Sequence, residues 1–255
     1  MLSSKKAVLL QSLNITALAL TIAVNALAST FALNGRTTAQ VSDMYPTLIT
    51  PAGYVFSIWG IIYTLLMVFA VYQALPSKRE QPFLAQMNLL FVLSSVLNVA
   101  WLILWHYDQI ALSVVLMFAL LATLIAIYLR LNIGKTVVSW KERACVHLPF
   151  SVYLGWITVA SIANVAAALV PVQWDGFGLA SEVWSILVIA VALLITLTVL
   201  ATRKDYAYGL VLMWALVGIA VKQTAYPNIA LAAEASAIII AIALAAVTVV
   251  SKLKR

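Results

Sequence analysis

Charged residues are scarce in this chain. They make up 9% of its 255 residues, whereas 65% are hydrophobic and the mean hydropathy is +1.07. A soluble domain carries about a quarter charged residues and fewer apolar ones. The composition therefore excludes an ordinary soluble protein and predicts an integral membrane protein whose main partner is the lipid bilayer.

Cysteine is nearly absent, and the few basic residues form no stripe. Cys145 is alone, which excludes an internal disulfide and any Cys-x-x-Cys metal or redox site, and a packing or loop role is favoured over a reactive thiol. The net charge of +7 comes from residues scattered between apolar segments, so nucleic acid is not expected as a partner. No catalytic triad or glycine-rich phosphate loop is evident. We predict no catalytic residues, no metal ligands and no required cofactor, and therefore no enzyme.

Apolar segments dominate the rest of the chain. Each is about 20 residues or longer, which is enough to cross the hydrocarbon core of a bilayer, where the backbone must be helical. The predicted fold is all-α, a polytopic bundle of eight transmembrane helices. The first segment could also be a signal peptide with Ala26-Leu27-Ala28 as its cleavage triplet, but it is too long, so we interpret it as a membrane helix. The segments are 7–33, 51–75, 85–106, 109–131, 148–170, 179–201, 207–226 and 229–250.

The basic residues predict the orientation. With a cytoplasmic N-terminus, 13 of the 15 lysines and arginines fall on the cytoplasmic side and only Arg36 and Lys222 on the other. Both termini are therefore expected in the cytoplasm, and the expected location is the bacterial plasma (inner) membrane. The 17-residue connection 34–50 then lies outside, where its length and its position before the second helix favour a lid.

An aromatic stripe follows this connection. Pro51 suits the first position of a helix, and one face of that helix would carry Ala52, Phe56, Trp59 and Tyr63. A proline-started membrane helix with such a face suggests a wall that holds a flat, apolar molecule.

Two further helices pair tryptophan with asparagine on one face. The third segment has Asn98, Trp101 and Trp105, and the fifth has Trp156 and Asn164. A carboxamide in hydrocarbon needs a hydrogen-bond partner, so both asparagines should point inward, toward one cavity under the lid. The alternative is that the tryptophans anchor the helices at the membrane interface and the asparagines only join helices.

These residues resemble the TspO/MBR family of tryptophan-rich sensory or translocator proteins. Its second-helix motif, a proline pair followed by W-G-x-x-Y, is similar to Thr50-Pro51 and 59–63. Its N-x-x-W-x-x-x-aromatic motif matches 98–105. Its Leu-Pro and W-x-x-x-A-x-x-x-N motifs match 148–149 and 156–164, with about one extra turn between them here. The resemblance covers about residues 7–170.

The resemblance implies a five-helix bundle (1–170) closed by the 34–50 lid, binding a porphyrin or other tetrapyrrole, with a possible homodimer. Thr50 replaces one proline, and the basic and aromatic sterol motif is missing after the fifth helix. Residues 171–255 then form a three-helix extension packed on the bundle. The ligand-binding residues expected from the stripes and the resemblance together are Phe56, Trp59, Tyr63, Asn98, Trp101, Trp105, Trp156, Ala160 and Asn164.

Three functions remain open at this stage. The leading hypothesis is a membrane protein that binds a flat hydrophobic ligand in an outward-facing pocket. The alternative is a secondary transporter of a small amphipathic molecule, and the third is a tetrapyrrole-degrading enzyme. Glu182, Lys222 and Glu234 are ionisable groups near the ends of the last helices, and we expect Lys222 and Glu234 to pair across a short turn.

Overall fold

The computed structural model describes residues 3–30 and 33–253, and within these ranges it contains helices and turns but no strand. Eight helices have 17 residues or more and three are short. They are α1 (Ser4–Thr30), α2 (Thr38–Met44), α3 (Ile58–Ala74), α4 (Pro82–Met87), α5 (Leu90–His106), α6 (Ile110–Arg130), α7 (Trp140–Glu142), α8 (Leu148–Leu169), α9 (Ser181–Arg203), α10 (Tyr206–Lys222) and α11 (Pro227–Leu253).

Six helical stretches of the described chain are long and apolar enough to cross a membrane. The predicted segments 85–106 and 207–226 correspond to α5 and α10, which are shorter apolar helices of 17 residues each. The all-α, multi-pass architecture is therefore confirmed. The count of eight membrane crossings and the cytoplasmic placement of both termini stay predictions.

Three helix starts differ from the sequence prediction. Pro51 does not begin an α-helix: Gly53–Ser57 forms a 3₁₀ turn and α3 begins only at Ile58. The backbone of Ala52 is extended (φ −60°, ψ 147°), so the chain is not α-helical there, and the Ala52 N–H donates to the carbonyl of Gly218 on α10 at 3.0 Å. The third segment begins at Leu90, because Asn88 adopts a φ of 47° after α4.

The third difference is at the start of the fifth segment, which begins eight residues earlier than predicted. A π-helical turn over Arg143–His147 joins α7 to α8, so that Trp140–Leu169 forms one apolar helical stretch. Pro149 explains the turn. It has no N–H to give to the carbonyl four residues back, and its ring crowds that carbonyl, so the preceding turn widens.

The core of the bundle is formed by α5, α6 and α8. The helices α1 and α3 cover one side of this core, and α10 packs on α8 from the other side, with α9 and α11 outside α10. Gly218 permits a close approach here, since a Cβ at this position would overlap the side chain of Val55. The helix α10 thus joins the C-terminal helices to α8, and the division of the chain at residue 170 stays a prediction.

A buried carboxylate joins three of these helices. Asp205, 6% exposed, caps the N-terminus of α10 by accepting from the Tyr208 N–H at 3.2 Å. Its Oδ2 also accepts from the hydroxyls of Tyr128 (2.8 Å) and Ser151 (2.7 Å), which belong to α6 and α8. Hydrogen bonds to a charged group are among the stronger polar contacts. Asp205 therefore holds the C-terminal helices to the core.

Replacing Asp205 by alanine should destabilise the protein. The change leaves buried donors without an acceptor, each costing about 1–3 kcal/mol, so we expect the free energy of unfolding to fall by about 2 kcal/mol or more. Thermal unfolding of purified protein in lipid nanodiscs measures this. The matched control is Asp175→Ala, an exposed aspartate that caps only the Phe177 N–H. Equal melting temperatures for the two variants would contradict the role of Asp205.

Candidate ligand-binding site

Trp59 lies at the centre of an aromatic cluster. Its ring is stacked on Tyr63, with centroids 5.5 Å apart and an interplanar angle of 15°. It also contacts Trp101 and Trp156, each at 6.2 Å. Offset and edge-on contacts of this kind contribute about 0.5–1.5 kcal/mol each beyond area burial. Three helices, α3, α5 and α8, thus turn tryptophans toward one another.

Asn98 supports this cluster from below. It is fully buried, and its Oδ1 accepts from Asn25 Nδ2 on α1 at 3.0 Å and from the Tyr63 hydroxyl at 3.5 Å. Its Nδ2 donates to the Tyr153 hydroxyl on α8 at 3.1 Å. One carboxamide therefore connects α1, α3, α5 and α8, which fixes how each helix is rotated about its axis.

Asn164 also connects helices through its carboxamide, next to Trp101. Its Oδ1 accepts from Trp101 Nε1 at 2.9 Å, and its Nδ2 donates to Ser113 Oγ on α6 at 3.0 Å. Asn164 is 2% exposed. Both asparagines are thus buried and hydrogen-bonded, as their predicted inward orientation requires.

A cavity lies between these residues and the 34–50 connection. Seven of the nine predicted ligand-binding residues line it: Phe56, Trp59, Trp101, Trp105, Trp156, Ala160 and Asn164. Tyr63 and Asn98 are not part of the lining and lie in the layer beneath. The sequence prediction missed five further lining residues, which are Thr38, Ser42, Pro51, Val159 and Ala163.

The cavity is small. Its volume is about 30 Å³, which is room for about two water molecules. A flat ligand of tetrapyrrole size therefore enters only if the residues that cover the cavity move.

The cover is α2, which lies within the connection predicted to be a lid. Thr37 begins it with a capping box: its Oγ1 accepts from the Gln40 N–H and its own N–H donates to Gln40 Oε1. This Thr-x-x-Gln pattern was the available sequence signal for the helix. Trp105 Nε1 donates to the Thr38 carbonyl at 3.2 Å, which seats α2 over the cavity.

Residues on both sides of α2 contact the turn between α5 and α6. Arg36 pairs with Asp108 at 2.6 Å, and the Tyr45 hydroxyl donates to the same carboxylate at 3.2 Å. The hydrogen bond from Arg36 holds the pKa of Asp108 below its ordinary value. The stabilisation is therefore present above the ordinary pKa of an aspartate and is lost as the pH falls through the lowered one.

The C-terminal end of α2 is also tied to α10, which corrects one prediction. Lys222 does not pair with Glu234 but with Asp43 in α2, at 2.6 Å between Nζ and Oδ1. Next to it, Gln223 Nε2 donates to the Thr47 carbonyl at 3.2 Å. The pairing is missed from sequence because the partners are 179 positions apart and no local spacing relates them.

Aromatic residues away from the cavity have other surroundings. Trp140 is 74% exposed, and Trp174 and Trp184 contact each other and Phe177 in the loop between α8 and α9. The described residues contain no group of three or more metal-ligating His, Cys, Asp or Glu side chains. The cavity beneath α2 is the place where predicted site residues meet.

The architecture is that of a multi-pass integral membrane protein, and the aromatic cavity lies inside its helix bundle. A sequence model of the TSPO-like protein family matches residues 11–247, and the chain belongs to this family. The match includes α9, α10 and most of α11, whereas the motifs alone extend to about residue 170. No curated protein and no solved structure matches the chain.

Weakening the contact between α10 and α2 should loosen the cover. Exposed ion pairs contribute about 0.2–1 kcal/mol, so Lys222→Met should raise amide hydrogen exchange in residues 38–44 by a factor of about five at most. Exchange mass spectrometry measures this, with the exposed Lys135→Met as the control. Unchanged exchange in 38–44 would show that Lys222 does not hold the cover.

Proposed function

We propose that this TSPO-like protein binds a flat hydrophobic ligand, such as a porphyrin, between the tryptophans of α3, α5 and α8. The single observation that carries the proposal is the meeting of Trp59, Trp101 and Trp156 at one cavity beneath a cover held by exposed contacts. Its outward-facing orientation rests on the distribution of basic residues. The membrane-embedded tryptophans supply the stacking surfaces, and sensing or translocation follows from ligand binding.

Trp156 adds a detail about the ligand. Its indole is 2% exposed, and its Nε1 has no hydrogen-bond partner among the residues that the structure describes. An unsatisfied buried donor costs about 1–3 kcal/mol. A ligand with a carbonyl or carboxylate oxygen at this point would accept that hydrogen bond, which supports a flat molecule with a polar acceptor over a plain hydrocarbon.

The energetics of the cover support entry of a large ligand. The Arg36–Asp108 and Lys222–Asp43 pairs are both partly exposed, so breaking each costs about 0.2–1 kcal/mol. The asparagine bonds below are buried and cost more to break. Ligand entry therefore proceeds by displacement of α2 and adjustment of the indole rings, while the bundle keeps its arrangement.

Titration of purified protein with protoporphyrin, followed by tryptophan fluorescence, tests the proposal. Trp101→Phe combined with Trp156→Phe should raise the Kd roughly tenfold, since each indole contact contributes about 0.5–1.5 kcal/mol and 1.4 kcal/mol corresponds to a factor of ten. Trp140→Phe, at an exposed site outside the cavity, is the matched control. An unchanged Kd in the double variant would reject this site.

The same titration addresses the enzymatic alternative. The cavity lining contains no titratable acid or base, so bound protoporphyrin should keep its absorbance during incubation in the dark. Loss of absorbance that depends on Trp101 and Trp156 would instead favour a tetrapyrrole-degrading enzyme.

A second candidate function is transport of a small amphipathic molecule. The observation that favours it is a series of buried polar side chains inside the bundle, from Gln11, Asn14 and Gln73 at one end to Asn98 and Asn164 near the cavity. Polar residues inside membrane bundles mark pathways in transporters.

Proteoliposomes loaded with coproporphyrin decide between the functions. If the protein only binds its ligand, coproporphyrin should leave the proteoliposomes no faster than it leaves liposomes without protein. If the protein is a transporter, coproporphyrin should leave faster, and the Trp101/Trp156 double variant should slow this release.

A further inference from the structure

A second cavity, the α8–α10 groove, lies behind the first. Its walls come from Val159, Ile162 and Ala163 on α8, and from Val188, Ile189 and Ala192 on α9. Its floor is α10, and Ile49 of the connection before α3 closes one end. The floor residues are Leu212, Ala215, Leu216 and Ile219.

The groove exists because of how the helices pack. Both α8 and α9 pack on α10 rather than on each other, which leaves a furrow between them. Alanines at 163, 192 and 215 keep it open, and Leu212 to Ile219 extend it over about 10 Å along α10. The floor is buried, whereas Ile162, Ala163 and Val188 are partly exposed, so the furrow has one open side.

The groove adjoins the aromatic cavity. Val159 and Ala163 line both spaces, so the two are separated by one turn of α8 with a short side chain at position 163. The chemistry of the two spaces differs. The first is lined by indole rings and by Asn164, whereas every side chain of the second is apolar.

We propose that the α8–α10 groove holds the alkyl tail of the ligand whose flat head occupies the aromatic cavity. The proposal rests on the proposed function and narrows its ligand class to amphipathic molecules with a planar head, a polar acceptor and a hydrocarbon tail. A hydrocarbon tail that lies in this furrow makes dispersion contacts with its apolar walls. The shared residues Val159 and Ala163 place the entrance of the groove beside the head.

The test compares protoporphyrin with its mono-octyl ester, both titrated in lipid nanodiscs. Since lipid is as apolar as the groove, only packing favours the tail, and we expect the ester to bind roughly threefold more tightly. Ala192→Leu fills the groove without touching the aromatic cavity, so it should remove this advantage and leave the Kd of protoporphyrin unchanged. Val188→Phe at the partly exposed side is a second filling variant in case the first is unstable. Ala190→Leu, at an exposed position of α9, is the matched control.

The outcomes separate the two proposals. An advantage of the ester that survives both filling variants, or no advantage in the unmodified protein, overturns the groove as a tail site and leaves head binding intact. Failure of protoporphyrin itself to bind overturns the proposed function together with the tail site. A photoactivatable fatty acid that labels groove residues equally with and without protoporphyrin also overturns the inference, because the groove would then hold a membrane lipid.

Discussion

A carboxamide inside hydrocarbon has to find its hydrogen bonds within the protein, and two such groups determine the arrangement of this bundle. Asn98 binds side chains from α1, α3 and α8, and Asn164 binds side chains from α5 and α6. Each bond exists for only one rotation of the helices involved. The inward orientation of the tryptophans follows from this requirement, because the rings share helix faces with the two asparagines.

The helix α2, which covers the aromatic cavity, is held by contacts of a different kind. It is seated by one indole hydrogen bond, by the fully buried side chain of Val41 and by partly exposed ion pairs at both ends, and exposed pairs are weak. The protein thus combines a bundle fixed by buried polar contacts with a short helix whose ion pairs are partly exposed. Under the proposed function, this division allows a small aromatic cavity to admit a ligand while the bundle keeps its arrangement.

Helical periodicity was sufficient to predict which faces meet, and family motifs strengthened that prediction. Seven of the nine expected residues line one cavity. Six of them lie on α-helices, where 3.6-residue spacing determines direction, and Phe56 lies in the 3₁₀ turn before α3. Periodicity says nothing about how closely the rings pack, so the small volume of the cavity was not foreseen. The Asp43–Lys222 pair and the Ala52–Gly218 hydrogen bond were also missed, because they join positions far apart in the chain.

The Ala52–Gly218 hydrogen bond has a consequence for the order of biosynthesis. Gly218 and Lys222 of α10 bind Ala52, before α3, and Asp43 at the end of α2. The ribosome makes these two residues of α10 more than 150 residues after their partners. Because domains assemble during synthesis from the N-terminus onward, α1 to α8 reach the membrane before these partners exist. The contacts from α10 to α2 and to the start of α3 therefore form only after the helices that line the aromatic cavity have been made.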